Sequence, residues 1–258
     1  MSPPDEVRRA RDGSPYPSRD TPEFQRDVRA MFTHIADRYD WFDHLASLGQ
    51  DYLWRPRALW TVDRYRRRRP IGRVLDIGCG PGELTFLVAG RAPGAEVVGS
   101  DVTAAMLRNA HLRAVGSSTG ARVRLVRADG GRLPFRDASF DLVMSAFVAR
   151  NLPSLPVAFR EFRRVLRSGG TVFTLEITEP VSPMMNRMFH SYFDHVVPWL
   201  GKAVQSEGPY RYLPESLRHL PDRSGMLRMM QEAGFGRTVA EAQSFGIVTT
   251  YLGEAGKA

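Results

Sequence analysis

The seven residues Asp76-Ile-Gly-Cys-Gly-Pro-Gly82 limit the folds open to this chain more than any other stretch. The apolar run Val74–Ile77 leads into them, and Leu84–Ala89, with helical character, leads out. A strand that passes through alternate glycines into a helix makes a tight turn whose backbone can approach a ligand. The alternation continues down the chain. Val97–Asp101, Val123–Val126, Phe140–Met144 and Thr171–Leu175 read as strands, and Ala104–Val115 and Val157–Leu166 as helices, the last stopped by Gly169-Gly170. Strands and helices joined in turn by short connections imply crossovers and parallel strands, with helices on both faces. Near the C-terminus, Thr238–Ala242 and Ile247–Leu252 add two strands that could pair at one edge of the sheet. The expected fold is α/β: a Rossmann-like, doubly wound, seven-stranded, mostly parallel sheet with an antiparallel edge strand.

Helical segments flank this unit. Val28, Met31, Phe32, Ile35, Ala36 and Tyr39 share one helical face, and a second helix covers about Gln50 to Tyr65. After the fifth strand, Met184–Trp199 is a long apolar-aromatic helical segment interrupted near Pro198, Tyr210–Leu220 a short element, and Gly225–Ala233 a helix ended by Gly234. Residues 1–21, rich in Pro, Arg, Asp and Ser, lack the apolar core of a secretory signal and read as a disordered tail. The expectation is one domain over residues 22–258, with an N-terminal helical cap at 22–70 and a helical insertion at 181–222. No apolar stretch approaches the ~20 residues that span a bilayer. A single cysteine, Cys79, excludes an intramolecular disulfide and a Cys-based metal cage, and no metal is expected. The net charge of +8 has three readings: compositional bias on a solvated face, attraction to an anionic membrane surface, or nucleic acid. The basic residues are scattered, and only Arg66–Arg69 forms a run, so the first reading leads and no nucleic-acid partner is expected. A cytoplasmic protein is the expectation, with contact at the inner face of the membrane as an option.

Three carboxylates end successive strands: Asp76, Asp101 and Asp129. Asp101 lies 21 residues after Gly80, where a carboxylate can accept from ribose hydroxyls. Asp129 can accept from an adenine amino group, or else cap a helix. Asp76 would repel a pyrophosphate but suits an ammonium, which argues for S-adenosylmethionine over a dinucleotide.

The set Asp-x-Gly-x-Gly-x-Gly, Asp101, Asp129 with Leu133-Pro-Phe135, and Leu166-Arg-Ser-Gly-Gly170 resembles the class I methyltransferases. Phe32-x-x-Ile-Ala-x-x-Tyr39-Asp40, Leu53-Trp54-Arg55, Arg150-Asn151, Leu175-Glu176, Tyr192-x-x-His195, Tyr210-Arg-Tyr-Leu213 and Met229-Met230 through Phe235 narrow it. Over about residues 24–253 the chain resembles the ubiquinone/menaquinone biosynthesis C-methyltransferases. That resemblance implies methyl transfer from S-adenosylmethionine to a ring carbon of a prenylated quinol, most simply demethylmenaquinol. Cofactor-binding positions are then Asp76, Gly78, Gly80, Pro81, Gly82, Asp101, Val102, Met106, Asp129, Gly130 and Ala146. The family's Phe-Gly-Leu-Arg-Asn reads Phe147-Val-Ala-Arg-Asn151, with the bulkier Val148 at the glycine.

Methylating an aromatic carbon needs an ionised phenol, and a free phenol has a pKa near ~10. Arg150 can stabilise a phenolate or orient a water, and Asn151 can fix a quinol oxygen. Tyr39 and His195 complete the catalytic candidates, and Asp40, Phe147 and Tyr192 are the substrate-binding ones. Each has a plainer reading: Arg150 paired with a structural carboxylate, Tyr39 ending an apolar stripe, His195 satisfied in the core. The segment Met184–Trp199 lines a prenyl tunnel or simply fills the core. The oligomeric state stays open, a homodimer among the options. Competing functions are a benzoquinol or other small aromatic or lipid acceptor, RNA methylation, and a non-catalytic binding module.

Overall fold

A computed structural model describes residues 22–36, 47, 49–67, 69–197, 199, 212, 216–217 and 220–256. The tail 1–21, Tyr39, Asp40, Pro198, and most of the expected element at 210–220 lie outside the described residues.

Seven strands form one sheet: β1 (Arg73–Ile77), β2 (Glu96–Asp101), β3 (Val123–Arg127), β4 (Phe140–Ala146), β5 (Leu166–Ile177), β6 (Phe235–Gln243) and β7 (Val248–Ala255). Their order is β3-β2-β1-β4-β5-β7-β6. The first five run parallel, and β7 pairs antiparallel with both β5 and β6. The mostly parallel sheet and the C-terminal β6–β7 ladder are as expected; the antiparallel strand sits one place in from the edge. Chain order reverses between β1 and β4, the crevice where doubly wound folds bind ligands beyond the carboxyl ends of their strands.

Around the sheet lie α1 (Pro22–Ile35), α2 (Asp51–Tyr65), α3 (Glu83–Arg91), α4 (Ala104–Val115), α5 (Leu155–Val165), α6 (Pro183–Ser191) and α7 (Arg223–Glu232). Two apolar cores cover the two faces. Trp54, Leu59 and Val62 of α2 and Leu84 and Val88 of α3 pack on one. On the other are Phe159 and Phe162 of α5 with Met226, Met229 and Met230 of α7. The buried residues of α5, Ala158, Phe159, Phe162 and Val165, form the stripe that 3.6-residue periodicity demands. Burying each phenylalanine stabilises by about 1.5–3 kcal/mol. Asp222 caps α7, its carboxylate accepting from Gly225 N at 2.7 Å.

Two expected boundaries move. β5 starts at Leu166, so Gly169-Gly170 lies inside a strand rather than after a helix. Its pairing with β4 jumps from Phe140↔Leu166 to Leu142↔Thr171, a bulge that Gly169 turns with φ of 72°. The regular ladder begins at Thr171, where the apolar run had placed it. The segment expected as one helix from Met184 changes to a π-helical turn at Tyr192–Val196, ahead of Pro198.

Candidate active site

The turn after β1 is built as its glycines predict. Gly78, Gly80 and Gly82 all have positive φ (65°, 54° and 94°), and Gly82 is the N-cap of α3. A Cβ on Gly82 would strike the Phe86 ring at 2.6 Å, whereas one on Gly80 would meet no atom of the described residues within 4 Å. Gly80 therefore faces open space, and that space is a cleft at the carboxyl end of the sheet. The cleft encloses about 840 Å³, its open mouth included. Asp101 ends β2 on its wall: one carboxylate oxygen accepts from Gly80 N at 3.0 Å, the other from Thr103 N at 2.7 Å. Burial pushes its pKa up, and the backbone N–H groups pull the other way. Asp129 lies across the cleft, one oxygen accepting from Gly131 N at 2.8 Å.

Asp76 is placed differently from the expectation. It is fully buried behind the turn, off the cleft wall, and its carboxylate accepts from Thr85 Oγ1 at 2.6 Å. Burial pushes its pKa up to about 7, against the hydrogen bond from Thr85 and the charge of Arg55. Arg55 of α2 bridges Asp51 at 3.2 Å and Glu83 at 2.8 Å, tying the helix before β1 to the start of α3. Asp76 thus shapes and charges the turn from behind.

The cleft wall also holds Gly78, Val102, Met106, Gly130, Ala146 and Phe147, all expected. Pro81 and Gly82 are buried one step behind it, where the chain enters α3. One whole side was not expected. Gln25, Val28, Arg29 and Phe32 of α1 line the cleft, and Phe32 packs on Ala105 and Met106 of α4. Asn109 anchors the end of α1 through Ala36 O at 2.8 Å. The Arg29 Nε is buried without a hydrogen-bond partner among the described residues, a donor on the wall of a ligand-sized cavity. The polar residues of α1 carried no signal beyond their place on the helix.

At the end of β4, Phe147 adopts a left-handed backbone conformation, φ 61°, rare for an aromatic residue. Its ring lies 6.0 Å from that of Trp54, with the guanidinium carbons of Arg55 and Arg150 at 5.3 and 5.9 Å. Val148 then leans over the turn, within 2.5 Å of where a Gly78 Cβ would stand. Arg150 is buried and pairs with the fully buried Glu176 at 3.1 Å, off the cleft wall. Glu176 also accepts from Ala149 N at 2.6 Å. Burial pushes the Glu176 carboxyl up while Arg150 pulls it down. The plainer reading of Arg150 is the one the geometry takes: its charge is spent on Glu176. Asn151 is on the wall, its side-chain oxygen accepting from Tyr212 OH at 2.8 Å, a partner the sequence reading had not singled out.

Residues 20–255 match the model of the ubiE/COQ5 methyltransferase family. The chain belongs to this family. It is 39% identical over 225 residues to a demethylmenaquinone methyltransferase of Thermus thermophilus, covering 87% of this chain and 99% of that one. A demethylmenaquinone methyltransferase of Deinococcus radiodurans is 38% identical, with 88% and 92% covered. A ubiquinone/menaquinone biosynthesis C-methyltransferase of Syntrophotalea carbinolica is 36% identical, with 88% and 94% covered. Among solved structures, a SAM-dependent methyltransferase of Thermotoga maritima superposes with a TM-score of 0.61 at 16% identity, covering 88% of this chain and 99% of that one. Phosphoethanolamine N-methyltransferase 2 of Haemonchus contortus, in complex with S-adenosyl-L-methionine, superposes with a TM-score of 0.62 at 15% identity, covering 89% and 60%. These two establish the Rossmann-like fold.

The methyltransferase uses S-adenosylmethionine, and its cleft fits that cofactor. Gly80 leaves the room a Cβ would fill, Asp101 and Asp129 stand at two strand ends, and Val102, Met106 and Phe32 supply an apolar surface for a base. Two further expected site residues, besides Asp76 and Arg150, are not brought to this cleft. Tyr192 is half-buried against Phe193, their ring centroids 5.5 Å apart. His195 is exposed, its Nδ1 3.2 Å from Ser191 O within its own helical turn. An exposed ring beside its own backbone is neither the satisfied core histidine nor a relay to the cleft.

Proposed function

We propose that this methyltransferase C-methylates a prenylated quinol, demethylmenaquinol, to form menaquinol. The family match over residues 20–255 carries the reading, and the likeness to demethylmenaquinone methyltransferases of two organisms favours the naphthoquinol. Bound in the cleft, the cofactor supplies a methyl activated by its sulfonium.

The chain's own residues would do the rest. Gly78, Gly80, Asp101 and Asp129 hold and orient the donor from the strand ends. Asn151, fixed by Tyr212, directs its amide toward a quinol oxygen at the end of β4. Phe147, held against Trp54, provides an apolar face for the ring and keeps water from it. Arg150 and Glu176 act behind Phe147: the pair locks Ala149 and so the loop that carries Asn151. With its charge paired to Glu176, Arg150 acts on the acceptor only through the loop it holds. Holding the ring carbon in line with the methyl supplies the entropic part of the rate.

The test is incubation of the full chain with methyl-labelled S-adenosylmethionine and demethylmenaquinol in detergent. Label on the naphthoquinol ring is expected. Transfer only to a polyprenyl benzoquinol, or only to a soluble phenol, would overturn the assignment. We also propose that the enzyme works at a membrane surface, because a polyprenyl acceptor partitions into lipid.

A further inference from the structure

The described large apolar side chains left in solvent include a group that gathers at the active-site end of the molecule. Phe245 is 84% exposed, Val181 79%, Met184 67%, Leu53 65% and Met188 59%. They come from three segments that the structure ties together. The β6–β7 turn holds Phe245, and Trp54 Nε1, one residue from Leu53, donates to Ser244 Oγ at 2.8 Å. Gly246 O accepts from Thr178 Oγ1 at 2.9 Å, and a Gly246 Cβ would stand 3.4 Å from Pro180 Cα, next to Val181. Asn186 Nδ2 donates to Pro180 O at 3.3 Å, fastening the start of α6 and with it Met184. Because Val248 pairs with Ile177, this turn lies at the carboxyl end of β5, the end that carries the cleft.

The backbone is strained to present this surface. Ser244, Phe245 and Gly246 are three successive residues with positive φ (45°, 57° and 95°). An aromatic residue held left-handed and in water costs stability twice, in backbone strain and in exposed apolar area. Two exposed arginines border it. Arg57 stands one turn from Leu53 on the same face of α2, and Arg187 stands between Met184 and Met188, both exposed. Of the carboxylates on these segments, Glu179 lies 3.5 Å and Asp194 3.6 Å from His190.

We propose that this rim is a membrane-docking surface, and that its occupant is a bilayer bearing anionic lipid. Single apolar side chains with arginines a turn away match the boundary between acyl chains and anionic headgroups. The net charge of +8 adds long-range attraction to such a surface. Docking there turns the active-site end toward the lipid, so that a prenylated acceptor reaches the cleft while its tail stays in the bilayer. This last point rests on the proposed acceptor; the docking itself does not.

The test is sedimentation of the full chain with phosphatidylcholine vesicles, with and without phosphatidylglycerol. The wild type should sediment with the anionic vesicles, and less so at high salt. Phe245→Asn, which suits a left-handed turn, combined with Met184→Gln and Met188→Gln, should weaken binding about tenfold or more. Arg187→Glu alone should weaken it about fivefold or more. Each variant should keep the wild-type melting temperature, its affinity for S-adenosylmethionine, and its transfer to a quinol lacking the prenyl tail. Phe245→Asn alone, at a solvent-exposed position, stands in should the triple variant misfold. Failure of the wild type to bind anionic vesicles, or binding by the variants equal to wild type, overturns the proposal. So does a loss of self-association in place of a loss of vesicle binding, which would make the rim a contact between copies. Rim-dependent vesicle binding with no methylation of any quinol would refute the acceptor and leave the surface standing.

Discussion

Replacing Glu176 by Gln should lower the melting temperature by about 6–20 °C. Glu176 is fully buried, Arg150 nearly so, and their charged atoms are 3.1 Å apart. The amide keeps the volume and can still accept from Ala149 N, so packing and the backbone hydrogen bond survive. What is lost is the counter-charge. A buried ion left alone costs about 3–5 kcal/mol, and a domain of this size loses about 2–4 °C per kcal/mol. Arg150→Met should cost comparably by stranding the carboxylate, although Glu176 can escape part of the penalty by taking up a proton, since burial already favours its neutral form. The double variant Arg150→Met/Glu176→Gln should melt above either single one, because no buried charge is then left without a partner. Scanning calorimetry of the four proteins closes the cycle. If Glu176→Gln melts within about 2 °C of wild type, or if the two effects simply add, the pair does not hold the loop. Arg150 would then regain its claim to act directly on the acceptor.

Three further outcomes follow from the cleft. Asp76, with its pKa pushed up to about 7, keeps its proton in the fold over a range where the unfolded chain, titrating near ~4, has lost it; its stabilising contribution is therefore lost as pH rises through 7. A bound cation favours the ionised form, so affinity for S-adenosylmethionine should climb with pH up to about 7 and then level, with proton release measurable by calorimetry, and Asp76→Asn should flatten both profiles. Gly80→Ala should fold, losing only the ~1–2 kcal/mol of a left-handed alanine, yet weaken cofactor binding far more, because its Cβ enters the cleft; unchanged affinity in calorimetry would mean the open space there is not the cofactor's. Arg29→Met should leave the melting temperature within about 2 °C and weaken cofactor binding about tenfold, as its Nε has no partner among the described residues; equal affinity would make the arginine a surface residue only.

The sheet was legible because parallel strands buried on both faces are mostly apolar, as Val74–Ile77 is apart from Asp76 and Thr171–Leu175 is apart from its two threonines. The elements misjudged were those where hydrogen bonding, not apolar spacing, sets the boundary. Gly169-Gly170 reads as a helix stop, but the chain had already turned into β5 and uses Gly169 for a bulge. The change to π-helix at Tyr192 inserts one residue into a turn and leaves the apolar pattern nearly intact, so periodicity does not report it.

The cofactor side of the site was legible for a related reason. Glycines and carboxylates at strand ends have few structural uses in common, so Gly80, Asp101 and Asp129 point to a ligand. Asp76 shows where that logic ends: the residue type and the strand are right, but whether a carboxylate faces the cleft or the α3 side depends on the pleat and on Thr85 nine residues later. Arg150 shows the same from the acceptor side. Its pairing with Glu176 is set by the contact of β4 with β5, a relation between residues 26 apart that no local pattern encodes. The helix α1 is the extreme case, since its residues reach the cleft only by packing across α4. Chemistry carried by a backbone turn could therefore be read from the chain. Chemistry that depends on which element lies over the turn could not, and at this site that includes Arg29, Tyr212 and the apolar rim around Phe245.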